Sequence, residues 1–288
     1  MFKVSVIIPV YNAAAYLVES VESAVNLEEV GEVILIEDKS PDNALEICLK
    51  LAEENKKVKV LQHPNGENRG AGASRNLGII NAKYEFISFL DADDWYLKNR
   101  FHASKKILMN SSDIDGVYGA TAFYSEYQKE IIKERLTALR KIVAPEDLLF
   151  NLLMTAPGNF HTNAITVRKK LFDKIGLFST TLKLHQDTHM WLRMAYAGRL
   201  VPESLNEPIA VRRMHEDNRI ANKSIESRQQ FFKETYEWFK NKNDVDKRAL
   251  KIIANRYFFS YSSSNKLNSL KLFTKEILSQ PKLLLKLI

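Results

Sequence analysis

Residues 84–95 read Tyr-Glu-Phe-Ile-Ser-Phe-Leu-Asp-Ala-Asp-Asp-Trp. Tyr84 to Leu90 is apolar apart from Glu85 and Ser88, and rich in aromatic and β-branched side chains. That composition predicts a short buried strand. Three carboxylates follow at once: Asp91, Asp93 and Asp94. Carboxylates clustered at the end of a buried strand are costly unless something neutralises them. In open α/β sheets, ligands sit beyond the carboxyl ends of the strands. Hard divalent cations seek carboxylate oxygens, and Mg²⁺ typically takes one or two of them plus substrate phosphates. The run 91–94 therefore predicts a metal and sugar-phosphate site at a strand end. Asp is also a good helix N-cap, and the chain turns helical in character near Leu97. The two readings are compatible.

Upstream of this stretch, strand and helix signals alternate. Lys3 to Pro9 reads as a first buried strand, followed by a turn at Val10-Tyr11-Asn12. Asn12 is placed to cap a helix running to about Leu27. Glu32 to Ile36 is a second strand, ending in Glu37-Asp38. Ser40-Pro41-Asp42 has the form of a helix start: Ser as N-cap, Pro at the first position, acid in the first turn. That helix reaches about Glu54, and Val58 to Gln62 is a third strand. Asn68 to Gly72 is a loop entering a helix over 73–81, and Gly116 to Phe123 is a fifth strand after Tyr84–Leu90. This alternation predicts a Rossmann-like, mostly parallel sheet with helices on both faces. The strand ends then bring Tyr11, Asp38, Asp91 and Asp93 to one rim, where a nucleotide-type ligand binds.

Gly70-x-Gly72 is not a dinucleotide fingerprint. Arg75 occupies the third glycine position, and the loop follows the third strand instead of the first. The glycines suit close helix packing, with Arg69 or Arg75 facing phosphate; surface ion pairs are the plainer alternative.

Downstream, residues 124–154 read as mostly helical, with a restart at Pro145-Glu146-Asp147. A short strand follows at 164–168 and a short helix at 169–175, stopped by Gly176. His185-Gln186-Asp187 leads into a helix over 188–197 whose packing face carries Trp191, Leu192, Met194 and Ala195. Asp187 is placed either to cap that helix or to act as a general base. His185, Asp187 and His189 suggest zinc as well, but no fourth ligand spacing supports it. Glu207 to Met214 is a further strand followed by His215, which is a metal or phosphate ligand or a solvated loop residue.

The chain has 288 residues, 45% of them apolar, and a net charge of +7. Its single cysteine, Cys48, makes no internal disulfide and fits a reducing, cytoplasmic setting. No signal peptide is apparent at the first strand, and no uncharged run approaches the roughly 18 residues of a spanning helix. The charge is uneven. Residues 247–288 hold nine Lys and Arg against Glu276 alone, while the rest is close to balanced. No nucleic-acid motif accompanies this basic tail. Lys282 to Ile288, KLLLKLI, has the form of a basic amphipathic helix, which favours peripheral contact with an anionic membrane surface over packing on the domain.

Five blocks together resemble the family 2 glycosyltransferases of GT-A fold. They are VSVIIPVYNAAAYLVESVESAV (4–25), EVILIEDKSPDNA (32–44), ENRGAGASRNLGIINAKYEFISFLDADD (67–94), IGLFSTTLKLHQDTHMWLRMAYAG (175–198) and VRRMHEDNRI (211–220). The resemblance implies a domain over 1–220, with a nucleotide-binding half at 1–123 and an acceptor-binding half at 124–220. A helical, basic C-terminal region over 221–288 follows it. It implies that Pro9 and Tyr11 line the nucleobase pocket and that Asp38 hydrogen-bonds the base, usually uracil. Arg75 flanks the nucleotide, Asp91 contacts ribose or sugar, and Asp93 ligates Mn²⁺ or Mg²⁺. Asp187 is the catalytic base, and His215 approaches the diphosphate or the metal. Two departures stand out: Gln186 replaces one of the family's paired acids, and Lys39 stands where the acidic turn usually has Gly.

The implied reaction is inverting transfer from a nucleotide-diphosphate sugar, a UDP-sugar by the uracil expectation, to an acceptor hydroxyl. A membrane-surface tail suits a lipid-linked glycan acceptor, as in bacterial surface polysaccharide, O-antigen or capsule assembly on the inner face of the cell membrane. A nucleotidyltransferase is the alternative within the same sheet type. It would carry a Gly-rich basic loop where this chain has PVYNAAAY (9–16). A non-catalytic sugar-binding relative would be expected to have lost Asp93 or Asp187.

Overall fold

The computed structural model describes residues 1–154, 158–214 and 225–259, together with Thr274. In chain order it begins β1 (Val4–Val10), α1 (Leu17–Val25), β2 (Val30–Glu37), α2 (Ala44–Glu54), β3 (Val58–Gln62), α3 (Gly70–Asn81) and β4 (Phe86–Phe89). β5 (Trp95–Tyr96), α4 (His102–Asn110), β6 (Gly116–Ser125), β7 (Glu130–Thr137) and α5 (Pro145–Met154) follow. The remainder is β8 (Ile165–Arg168), α6 (Leu171–Ile175), α7 (Gln186–Ala197), β9 (Leu200–Met214), α8 (Ile225–Phe239) and α9 (Lys247–Phe259).

One nine-stranded sheet runs β3-β2-β1-β4-β8-β6-β9-β5, with β7 added beside β6. β1 pairs in parallel with both β2 and β4, and β2 with β3. β8 enters antiparallel between β4 and β6. The order reverses at β1 and β4, so their carboxyl ends flank the crevice where such sheets bind ligands.

Both faces of the sheet are covered, and strand parity divides the core. Val4, Val6, Ile8 and Val10 lie in one apolar cluster with Val33, Leu35 and Phe86. Ile7 lies in the other with Ile34, Ile36, Ile87 and Phe89. Successive side chains of a strand point to opposite faces, so two buried faces need a continuous apolar run, which KVSVIIP supplies. Each such side chain contributes about 1.5–3 kcal/mol by leaving water. α3 presses close to the sheet at Gly78, where an added Cβ would come within 2.4 Å of Ile7.

Three local expectations differ from the structure. α1 begins at Leu17, not after Asn12. Asn12 takes a left-handed conformation (φ 52°) that short polar side chains tolerate. Ala13 to Tyr16 then form a turn fastened by the Asp42 carboxylate, which accepts from the Ala14 amide at 2.9 Å. Second, α2 begins at Ala44 with Asn43, not Ser40, at its N-cap, because Asp42 ties the two post-strand turns together and meets the Ala44 amide at 3.2 Å. The third difference is residues 130–137, which form a strand where helix was expected. Ile132 and Ile131 pair with Phe123 and Tyr124 across an antiparallel hairpin. Charges three and four apart suit a helix on their own, but pairing with the open edge of β6 decides the conformation.

Over 225–259 the basic C-terminal region is helical, as expected, and shares the domain core. Phe231, Tyr236 and Phe239 of α8 and Leu250, Ile253 and Phe258 of α9 join the cluster that holds Trp191 and Leu148. His215 and the stretch Lys282–Ile288 lie outside the described residues.

Candidate functional site

A cavity of about 500 Å³ opens at the carboxyl ends of β1, β2 and β4. Pro9, Tyr11 and Asp38 line one side, and Arg75, Asp91 and Asp93 line its floor. Asp187, at the head of α7, lines the same cavity. Seven residues singled out in the sequence therefore meet in one cleft, although they span almost 180 positions of the chain.

Asp38 is buried, and both carboxylate oxygens accept backbone N–H groups, from Arg69 (2.7 Å) and Gly70 (2.8 Å). It thereby fixes the loop that opens α3. A carboxylate offers about four lone-pair sites, so capacity for a further donor remains. Tyr11 lines the cavity and is 40% exposed.

The acidic floor is held by a scaffold of its own. Arg75 is buried and donates to Asp91 at 2.7 Å. Burial pushes Asp91 upward, but the charges of Arg75, His161 and Arg212 outweigh it and hold the carboxyl below its usual range. Asp94 behaves oppositely. Burial, then the negative charges of Asp93 and Asp91, push it well above the usual carboxylate range. Asn163 clamps the pair, donating to Asp94 at 2.6 Å and accepting the Asp91 amide at 3.0 Å. Asn163 is in turn held by Arg100, whose Nε donates to its carbonyl at 2.9 Å. The Arg213 amide donates to Asp94 at 2.8 Å, and its Nε to the Asp93 carbonyl at 3.1 Å.

Asp91, Asp94 and His161 each offer a ligand atom, and these atoms lie within 4.8 Å of one another. Burial pushes the His161 imidazole down, so it is neutral and able to ligate at neutral pH. Two carboxylates and a neutral imidazole, crowded by a third acid, fit a Mn²⁺- or Mg²⁺-type cation. Asp93, the ligand implied by the resemblance, stands beside this triad, and its charge acts on Asp94. The sequence reading gave no role to Asp94 beyond the cluster and none to His161. Asp94 was visible within the acidic run; His161 follows a loop with no motif, and only the fold carries it to the site.

Asp187 is the second residue of α7. Its Oδ1 accepts the Thr188 amide at 2.7 Å. His185 precedes the helix in a left-handed conformation (φ 64°). The approach of α7 to α3 is close: a Cβ on Gly72 would lie 2.7 Å from the Ser179 carbonyl and from Gln186 Oε1. Asp187 also faces the acidic floor, since Asp91, Asp187 and Asp93 all exert their charge on His161.

A sheet that switches order above clustered acids, with a further carboxylate in the same cleft, defines the GT-A class of nucleotide-sugar fold. The chain belongs to glycosyl transferase family 2, whose sequence model matches residues 5–176. An uncharacterized glycosyltransferase of Rickettsia felis is 32% identical over 222 residues, 74% of this chain and 34% of that protein. Glycosyltransferase GlyG of Streptococcus pneumoniae is 36% identical over 124 residues, 43% of this chain and 40% of GlyG. The chain thus spans about a third of the first relative's length. Among solved structures, S. aureus TarS 1–349 in complex with UDP-GlcNAc superposes with a TM-score of 0.69 at 22% identity, covering 91% of this chain and 74% of TarS 1–349. The mannosyltransferase PcManGT of Pyrobaculum calidifontis, in complex with GDP-Man and Mn²⁺, superposes at 0.57 with 16% identity, covering 97% and 81%. These likenesses establish the fold.

Proposed function

We propose that this chain transfers a sugar from a nucleoside-diphosphate sugar, a UDP-sugar, to an acceptor hydroxyl with inversion at the anomeric carbon. The observation that carries this reading is that Asp187 and the Asp91–Asp94 cluster line one cleft, with Asp91, Asp93 and Asp187 all acting on His161. Family membership supports it, as do the UDP-GlcNAc complex of TarS and the GDP-Man and Mn²⁺ complex of PcManGT.

Pro9 and Tyr11 pack on the nucleobase, and Asp38 accepts a base N–H. Arg75 orients Asp91 toward the ribose or sugar. Asp187 takes the proton of the acceptor hydroxyl as its oxygen attacks the anomeric carbon. The bond to the diphosphate oxygen breaks on the far face, so the configuration inverts without a covalent intermediate. Asp91, Asp94 and His161, with Asp93 beside them, would hold a divalent cation, which supplies charge stabilisation for the departing diphosphate. The acceptor is a lipid-linked glycan of a surface polysaccharide, reached at the inner face of the cell membrane. The basic excess over 247–288 supports this acceptor class.

The test is hydrolysis of a panel of UDP-, GDP- and dTDP-sugars, with and without Mn²⁺. Metal-dependent release of one nucleoside diphosphate is expected. Absence of both turnover and metal-dependent nucleotide binding across the panel would overturn the reading.

A further inference from the structure

A second cavity, of about 460 Å³, opens between α8 and α9 and is unused by the chemistry above. Arg228 and Arg256 face each other across it, with their guanidiniums 5.6 and 5.9 Å from the ring of Phe232. Among the described residues, no carboxylate forms an ion pair with either. Burial and then the positive charge of Arg228 hold Arg256 below the usual arginine range. Two like charges brought together without a counter-ion form a site for an anion, and paired guanidinium forks match phosphate oxygens. The rest of the lining is Ile225, Phe232 and Phe259, with the amides of Gln229 and Asn255 beside the arginines. Ile225 is 65% exposed and Phe259 44% exposed, at the mouth of the cleft.

The position of the cleft gives it meaning. Phe232 touches Phe231, with centroids 5.1 Å apart, and Phe231 lies 5.3 Å from the His185 ring. His185 lines the first cavity, two residues before Asp187. A wall of three rings thus separates the two cavities. Arg228 stands one helical turn from Phe231, about 4.5 Å along the axis. Beyond Phe259 the sequence carries five Lys and one Glu.

We propose that this cleft binds the phosphate headgroup of a lipid, with Arg228 and Arg256 on the phosphate and Ile225 and Phe259 against the first part of its hydrocarbon. A soluble anion has no use for Ile225 and Phe259 at the mouth, and an apolar partner has none for two guanidiniums that no carboxylate among the described residues pairs. This rests on the lipid-linked acceptor proposed above. It adds that the acceptor's own phosphate is seated on the far side of the Phe232–Phe231–His185 rings from the head of α7, which carries Asp187, so the glycan end reaches the first cavity.

The experiment is co-sedimentation of the full chain with phosphatidylcholine vesicles containing phosphatidic acid, with inorganic pyrophosphate as competitor. Arg228→Gln/Arg256→Gln is compared with Lys247→Gln/Lys251→Gln, which removes equal charge from exposed positions of α9. The arginine pair is expected to weaken binding at least fivefold and the lysine pair less than twofold. Equal losses would overturn the proposal in favour of diffuse charge. No vesicle binding by the unaltered chain would overturn it as well. Loss of pyrophosphate binding with vesicle binding intact would assign the cleft to a soluble anion and overturn the lipid source. Should the double variant not fold, Arg228→Gln alone, on the exposed side, must still weaken vesicle binding. Donor hydrolysis is a separate readout: its absence would sink the transferase reading, whereas failed vesicle binding sinks the cleft alone.

Discussion

Replacing Arg100 with Met tests whether the acidic floor depends on one buried ion pair. The side chains of Arg100 and Glu203 are fully buried, with 3.5 Å between Nη1 and Oε1. Arg100 also donates to the carbonyls of Asn163 and Ile165, both at 2.9 Å, and to Ser88 Oγ at 2.6 Å. Met matches much of its volume but leaves Glu203 without its cation. Breaking a buried pair by removing one partner costs about 3–5 kcal/mol, because an uncompensated charge remains. For a domain of this size, each kcal/mol lowers Tm by about 2–4 °C, so the loss is roughly 10 °C. Burial already pushes the Glu203 carboxyl up, against the opposing pull of Arg100 and Ser104. A carboxyl raised in the folded state loses stability as pH climbs above its unfolded value of about 4.3. Without Arg100 it rises further, so the deficit should be largest at pH 8 and shrink toward pH 5. The assay is thermal unfolding at both pH values for Arg100→Met, Glu203→Gln and the double variant. The double variant should recover most of the loss, since removing both ions of a buried pair is often nearly neutral. A Tm change under about 2 °C in Arg100→Met, or a double variant as unstable as that single, would refute the reasoning.

Three further outcomes follow from the same structure. Asn163→Ala removes the donor to Asp94 and the acceptor for the Asp91 amide; it should weaken Mn²⁺ binding, read by titration calorimetry, about 10–100-fold. Gly78→Val places side-chain atoms against Ile7 and should cost about 1–3 kcal/mol in chemical unfolding. His189 is held down to about 3 by burial and then by Arg193, with Glu234 opposing. Its stabilising contribution is present above the unfolded value of about 6.5 and is lost as pH falls toward 3, so His189→Leu should flatten the stability profile between those values.

The sheet was legible because its strands announce themselves. KVSVIIP and EFISF are dominated by apolar side chains, and parity then fixed which of them face which layer. The cleft was legible because the polar residues sit where those runs end. What escaped the sequence depended on distant pairing. Residues 130–137 became a strand only because β6 offered an open edge. Asp42, expected only as an acid in the first turn of α2, also fastens a turn of another segment. His161 and Asn163 lack any local signal; the turn that leads into β8, which is inserted between β4 and β6, carries them to Asp91 and Asp94. Glu203 reads as a surface acid, and only its burial against Arg100 shows that it supports the floor.

The most direct test of the account is Asp187→Asn, assayed for donor hydrolysis and for nucleotide-sugar binding on the same preparation. The account predicts binding within about twofold of the unaltered chain and turnover lower by about 10²–10⁴-fold, since a positioned base contributes on that order. Turnover that persists with binding intact would contradict it and move the proton acceptor away from Asp187.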